Sequence, residues 1–370
     1  MTNFNYWIEE TDRVWIKVPS IPENDSITIN VKKTGDYSPS GDDTFPFFDD
    51  FSGSSLDTDK WDVAYNYGDI SVANDKVTLF RANIKSKNNF GKGFSVRGHW
   101  RCTTDIDYPG IWTGFNAPRD EHDDDALSVY ALWDGFRANP GRNWVRAIKD
   151  TSVNTIVDFD SDYYADSTWY ITEIQNIAND LVTGIWQEGS SIETKSYTDS
   201  NNIPTVNMNA CIGTRGDSDS NGNTEGEWFW VFVRKIVEDE PSISVTDQTT
   251  HYEVTINNTG GDELTDYQIS VSASDLGTLA NDESLEIKIC FKIKGTTKKQ
   301  GTLIQGAKVS CINQDTNELV GHTTSDENGE WEFLDLDDES KYHVVGSLED
   351  GEDKFNHLSF YDLVPKEEEQ

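Results

Sequence analysis

The chain alternates between apolar and polar positions almost from its first residue. Tyr6 and Ile8, then Val14, Ile16 and Val18, fall on opposite beats from Glu9, Trp15 and Lys17. Pro19 and Pro22 bound a loop, and Ile27, Ile29 and Val31 resume the period of two that marks half-buried strands. In Phe47–Val63 (FFDDFSGSSLDTDKWDV), the serine, Gly53 and aspartate positions force a turn before Trp61 opens the next alternating run. Further strands are predicted at Lys76–Arg81, Phe94–Thr103, Ala126–Trp133, Trp144–Lys149, Trp169–Gln175, Leu181–Trp186 and Asn207–Thr214. Gly, Asn, Asp and Pro turns separate them at intervals of about 8–15 residues, and no stretch sustains a 3.6-residue period. The pattern predicts an all-β protein of several domains.

Length and charge narrow the field. At 370 residues, two to three domains are expected. Asp and Glu total 67 against 30 Lys and Arg, a net charge of −37, so nucleic acid and anionic membranes are poor partners. Such a surface suits high salt, where repulsion is screened, and points to a halophilic source. No apolar run approaches the ~18 residues of a membrane span. The opening MTNFNYWIEETDRVW lacks a basic region followed by an apolar core, so no secretory signal is expected, and synthesis in the cytoplasm or a trimmed chain is. Cys102, Cys211, Cys290 and Cys311 are far apart, which argues against zinc. They read either as buried thiols or, for Cys290 and Cys311 on neighbouring predicted strands, as one disulfide.

Three resemblances follow from particular strings. FDDF-SG-SLDTDKWDV resembles the opening strand of concanavalin A-like lectin/glucanase (laminin-G-like) domains, with EWFWVFVRKI at Glu227–Ile236 as the matching exit strand. This implies a central jelly-roll sandwich at 45–241. YWIEETDRVWIKVPSIPENDSITI resembles the C-terminal half of a domain of unknown function of archaeal and bacterial surface proteins, while YEVTINNTGGDELTDYQISVS at 252–272 resembles its opening strands. The order implies a split, circularly permuted small β-sandwich made of 1–44 plus 242–289. The alternative is an independent small sandwich at 242–290. Residues 290–370, with GAKV and TTSDENGEWEF, resemble the carboxypeptidase-regulatory-like, prealbumin-type β-sandwich.

Candidate chemistry is sparse. Laminarinase-type enzymes of the sandwich fold carry E-x-D-x-E on one strand face, and no such string occurs here. Acids cluster in turns such as Arg119–Asp125, where His122 reads as solvated, and no G-x-S-x-G, H-E-x-x-H or P-loop is present. The expectation is that the chain is not an enzyme. Asp217, Asp219, Asn221, Asn223 and Glu225 place side-chain oxygens at alternate positions around Gly222, a spacing that suits Ca²⁺. Trp228 stands where the helix–loop–helix version needs an acid, and the alternative is a solvated hairpin. Trp112, Trp133, Trp144 and Trp186 are candidates to stack on sugar rings, against a core role for each.

Modular β units without a catalytic constellation read first as a structural and adhesive virion protein: a tail fibre or receptor-binding subunit of a haloarchaeal virus. Its expected partners are other tail or baseplate proteins, a host surface glycan or glycoprotein, and further copies of itself. The alternatives are a cellular surface carbohydrate-binding protein and, third, a glycoside hydrolase.

Overall fold

The computed structural model describes residues 4–9, 13–32, 39–103, 111–116, 130–138, 141–149, 152–159, 168–177, 180–187, 193–198, 206–214, 224–247, 251–272, 275–276, 286–289, 291–296, 298–299, 302–303, 305–313, 316, 318–336, 342–347 and 358–363. These residues are almost entirely strand. The N-terminal segment forms β1 (Tyr6–Glu9), β2 (Arg13–Ile21) and β3 (Ser26–Lys32). One helical turn, α1 (Gly41–Thr44), follows, with Ser40 as N-cap accepting from the Asp43 amide. The large unit then runs through β4 (Phe47–Asp49), β5 (Trp61–Val72), β6 (Val77–Phe90), β7 (Phe94–Cys102), β8 (Ile111–Phe115), β9 (Tyr130–Ala138), β10 (Gly141–Lys149), β11 (Ser152–Phe159), β12 (Tyr170–Ile177), β13 (Asp180–Gln187), β14 (Glu193–Thr198), β15 (Met208–Thr214) and β16 (Glu225–Lys235).

These strands make a two-layered jelly roll. One layer is β11-β10-β9-β8-β15-β6 and the other β6-β16-β7-β12-β13-β14, with β5 on β6 and β4 on β16. β6 belongs to both. Its first half (Val77–Phe80) pairs with β16, its second half (Asn83–Phe90) pairs with β15, and Arg81 turns the corner at φ +49°. Between the layers, β8 lies against β7 and β12 without sharing a ladder. Val96, Trp100, Ile111, Phe115, Ile174, Ala210, Ile212, Trp228, Val231 and Val233 fill the space. The opening and exit strands are hydrogen-bonded neighbours, Phe47 opposite Val233 and Asp49 opposite Val231.

The FDDF…W string closes this unit. Asp49 is buried; one carboxylate oxygen accepts from the Phe51 amide at 2.8 Å and the other from the Trp61 indole at 2.6 Å. Burial raises its pKa, against the pull of those two donors. Phe47 meets Trp61 edge-on at 4.9 Å.

The smaller unit draws on both ends of the jelly roll in sequence. After β16 come β17 (Ser242–Asp247), β18 (His251–Asn257), β19 (Leu264–Ser272) and β20 (Glu286–Ile289). β3 from the N-terminal segment lies in register between β18 and β20, giving the sheet β17-β18-β3-β20. β19 completes a second sheet, β1-β2-β19. Val14, Ile16, Val18, Ile29, Val31, Val254, Ile256, Ile269 and Val271 are buried. Asn258, also buried, donates to the carbonyls of Pro22 and Asp262 at 2.9 Å each, and accepts from the Gly260 amide.

The C-terminal strands are β21 (Phe291–Thr296), β22 (Lys298–Lys299), β23 (Thr302–Leu303), β24 (Lys308–Asn313), β25 (Leu319–Thr324), β26 (Glu330–Leu336), β27 (Tyr342–Ser347) and β28 (Leu358–Leu363). They form the sheet β25-β24-β27-β28 and the pair β21-β26 around Val309, Cys311, Trp331, Phe333, Tyr342 and Val344. In the hairpin before β26, Asp326 accepts from the Asn328 and Glu330 amides, and Gly329 takes φ +70°. Cys311 is a free thiol, its pKa pushed up by burial to about 11, so the sequence-predicted bridge from it is not formed; Cys290 lies outside the described residues. No described helix is long and apolar enough to cross a membrane.

Candidate functional site

Each layer of the jelly roll has a face turned away from the core, and the two differ in kind. On the β16-β7-β12 layer, the outward residues include a buried network of charged groups. Glu173 accepts from Arg97 Nη1 at 3.0 Å and from Arg234 Nε at 2.9 Å, and Arg234 reaches on to Glu240 at 2.8 Å. Burial works against the Glu173 charge, yet the two guanidinium groups outweigh it and hold its pKa at about 2. Beside this network, His99 lies 4.6 Å from the Trp169 ring and 5.5 Å from Trp230, and Phe45 stacks on Phe232 at 4.1 Å. That face is occupied by its own side chains.

The β6-β15-β8 layer is different. Ala82, Ile84, Ala210, Ile212, Ile111 and Phe115 take the core face, so by the pleat Asn83, Lys85, Cys211, Gly213 and Trp112 take the other. The ladders join these into two cross-strand rows. One runs Tyr65, Asn83, Gly213, Trp112, Gly135, Trp144, Asp158 from β5 to β11. The next runs Asp62, Lys85, Cys211, Gly114, Trp133, Arg146, Thr155. Trp112 is thus flanked by glycine on both neighbouring strands, and a glycine inside a strand often marks close approach by a ligand or another group. Trp112 is buried, 3% exposed, and its indole Nε1 has no hydrogen-bond partner. A buried donor left unpaired costs roughly 1–3 kcal/mol, so such a group is where an acceptor from a ligand would be received. At the open edge of the row the Tyr65 hydroxyl donates to the Thr214 carbonyl, and Tyr67, 5.9 Å from Tyr65, is 48% exposed.

The four sequence-predicted tryptophans therefore separate. Trp112, Trp133 and Trp144 occupy adjoining positions in the two rows of one layer. Trp186 belongs to the other, in register with Ile171, His99 and Trp230. Of the predicted Ca²⁺ ligands, Asp217, Asp219, Asn221 and Asn223 lie outside the described residues. Glu225 opens β16, and its carboxylate accepts from the Thr103 hydroxyl at 2.6 Å. Gly213, Gly135, Asn83 and Lys85 were not singled out from sequence. Gly213, inside the predicted strand Asn207–Thr214, was an available signal; Gly135 lies past the predicted end at Trp133, in β9 as observed.

Fold and face together define an all-β jelly-roll sandwich with a glycine-flanked aromatic row on one layer. Residues 1–64 match the family model of a domain of unknown function, DUF2341, in agreement with the YWIE…VWIKVPSIP resemblance. No curated protein matches the chain. Among solved structures, the chain is similar to one described under endo-acting O-glycanases of the human gut microbiota that initiate mucin breakdown (15% identity, 52% of this chain, 99% of that one, TM-score 0.39). It is also similar to a Bacillus licheniformis β-glucanase (11%, 50% and 95%, 0.37) and to a β-1,3-1,4-glucanase from a mouse hindgut metagenome (13%, 51% and 99%, 0.38). The expectation that the chain is not an enzyme is corrected at this point: many solved structures of this likeness are glycoside hydrolases, and the fold gives no ground for setting catalysis aside.

Proposed function

We propose that this chain recognises carbohydrate on the outer face of the β6-β15-β8-β9-β10 layer. The observation that carries the reading is the unpartnered indole N–H of Trp112, held between Gly213 and Gly135 in a row that also holds Tyr65, Asn83 and Trp144. Aromatic rings offer flat apolar surface to sugar rings, and a few convergent polar groups fix orientation. The setting proposed for it is an adhesive virion subunit, a tail fibre or receptor-binding protein that engages a host surface glycan or glycoprotein. Several β units in one strongly acidic chain support that setting. Glycan-array binding by the full chain, with reducing-sugar release measured on every glycan bound, tests the recognition and decides whether cleavage accompanies it. An array with no binding above background overturns the reading. Antibody labelling of virus particles tests the setting, and label confined to host cell envelopes would replace it with a cellular surface protein.

A further inference from the structure

Charge on the proposed glycan face runs against the charge of the chain. Acids outnumber bases 67 to 30 over the whole sequence, so a sheet face drawn at random should carry more carboxylates than cations. The register gives the opposite. In step with Trp112 and Gly114 of β8, β6 and β15 contribute Asn83, Lys85, Cys211 and Gly213. On the other side, β9 contributes Ala131, Trp133, Gly135 and Arg137, and β10 contributes Arg142, Trp144, Arg146 and Ile148. From β6 to β10 these positions hold Lys85, Arg137, Arg142 and Arg146 and no Asp or Glu. Arg137 and Arg142 are direct cross-strand partners, a like-charge pairing that is ordinarily unfavourable. At the paired strand positions of the described residues, carboxylates return on the flanking strands, Asp62 on β5 opposite Lys85 and Asp158 on β11 opposite Trp144. Lys85 is half-buried and takes part in no ion pair among the described residues.

From this juxtaposition we infer that the ligand of this face is an anionic glycan, one whose sugars carry carboxylate or sulfate groups. The inference rests on the glycan reading and names its substrate class. A face lined by one sign of charge concentrates the opposite charge at its surface. Guanidinium groups match carboxylate and sulfate oxygens in planar, two-point fashion, the chemistry that the register positions of Arg137, Arg142 and Arg146 bring to this face, and the Trp112 N–H is a neutral donor on it. Elsewhere the chain's net charge of −37 repels polyanions, so binding of one localises to this patch.

The test is affinity electrophoresis and calorimetry of the full chain with polygalacturonate (carboxylate), chondroitin sulfate (carboxylate and sulfate) and laminarin (neutral), at low and high salt. Binding of one or both polyanions, at least tenfold tighter than laminarin and weakening with salt, is expected. Preference between the two identifies the anionic group. Arg146→Gln and, separately, Lys85→Gln should each weaken polyanion binding about tenfold, the worth of one charged hydrogen bond, and leave the melting temperature within about 2 °C. Lys85→Gln serves as the second variant should Arg146→Gln fail to fold. Equal binding of laminarin and the polyanions, unmoved by either substitution, overturns the anionic class and leaves glycan recognition standing. Failure to bind any of the three, with an empty glycan array, overturns both.

Discussion

Gly213 faces Trp112 directly across the β15–β8 ladder, and a Cβ built on Gly213 would stand 2.7 Å from the indole Nε1 and 2.9 Å from Asn83 Cγ. The glycine is therefore a requirement of the row. Gly213→Ala should destabilise the jelly roll by about 1–3 kcal/mol through overpacking and remove glycan binding with it. Gly261→Ala, which meets open space, should change neither. Chemical denaturation and the glycan array, run on both variants, check the contrast.

Glu173 anchors the opposite layer. Replacing it with Gln leaves Arg97 and Arg234 buried around a neutral group, and the loss should be roughly 3–5 kcal/mol. The pH dependence has a definite sign. The folded pKa of about 2 lies below the ordinary 4.5, so the network's contribution is complete above about pH 4.5 and is lost as pH falls toward 2. Urea titrations from pH 6 to pH 2.5 should show the wild type weakening in that window and Glu173→Gln weakening less.

Because β3 is the shared neighbour of β18 and β20, deleting residues 1–33 strips both of a ladder. Amides of 251–257 and 286–289 should lose hydrogen-exchange protection while those of β6, β15 and β16 keep it. Equal protection in 251–257 with and without the N-terminal strands would contradict the shared sheet.

Asn258 ties the 258–263 turn to the loop after β2 through its contacts with Pro22, Asp262 and Gly260. Asn258→Ala should cost about 1–2 kcal/mol, since the Pro22 and Asp262 carbonyls lose a buried side chain's donor. Exchange protection lost in β18 and β3, with none lost in the jelly roll, would locate the effect.

For the Asp217–Glu225 loop, Ca²⁺ binding remains a proposal from spacing alone. If it binds, ion at a hundredfold excess over its dissociation constant stabilises by about 2.7 kcal/mol, EDTA lowers the melting temperature, and Asp219→Ala abolishes the difference. A melting curve indifferent to chelator would reduce the loop to a solvated turn.

Much of the fold was readable because it rests on local rules. Period-two alternation named many of the strands, the Asp49–Trp61 string marked the start of the jelly roll, and Asn328-Gly329 marked the hairpin before β26 in the C-terminal strands, each through interactions spanning a few residues. The site was less readable. Four tryptophans looked equivalent in the sequence, since alternation tells that a residue has a face but not which sheet owns the strand. Gly135 and Gly213, far apart in sequence, flank one indole only once β9, β8 and β15 are aligned.

The sequence by itself determined that this chain is all-β, roughly where many of its strands lie, and that its surface is overwhelmingly acidic, because alternation, turn chemistry and charge are properties of neighbouring residues. Only the tertiary structure decided that β6 serves both layers through the turn at Arg81, that Glu173 is claimed by two arginines, and that Trp112, Gly213 and Lys85 share one face. Those relations are set by ladder register between strands far apart in the chain. A one-residue slip in any ladder would send its partners to the opposite face, a choice the burial of the core makes and no local pattern can.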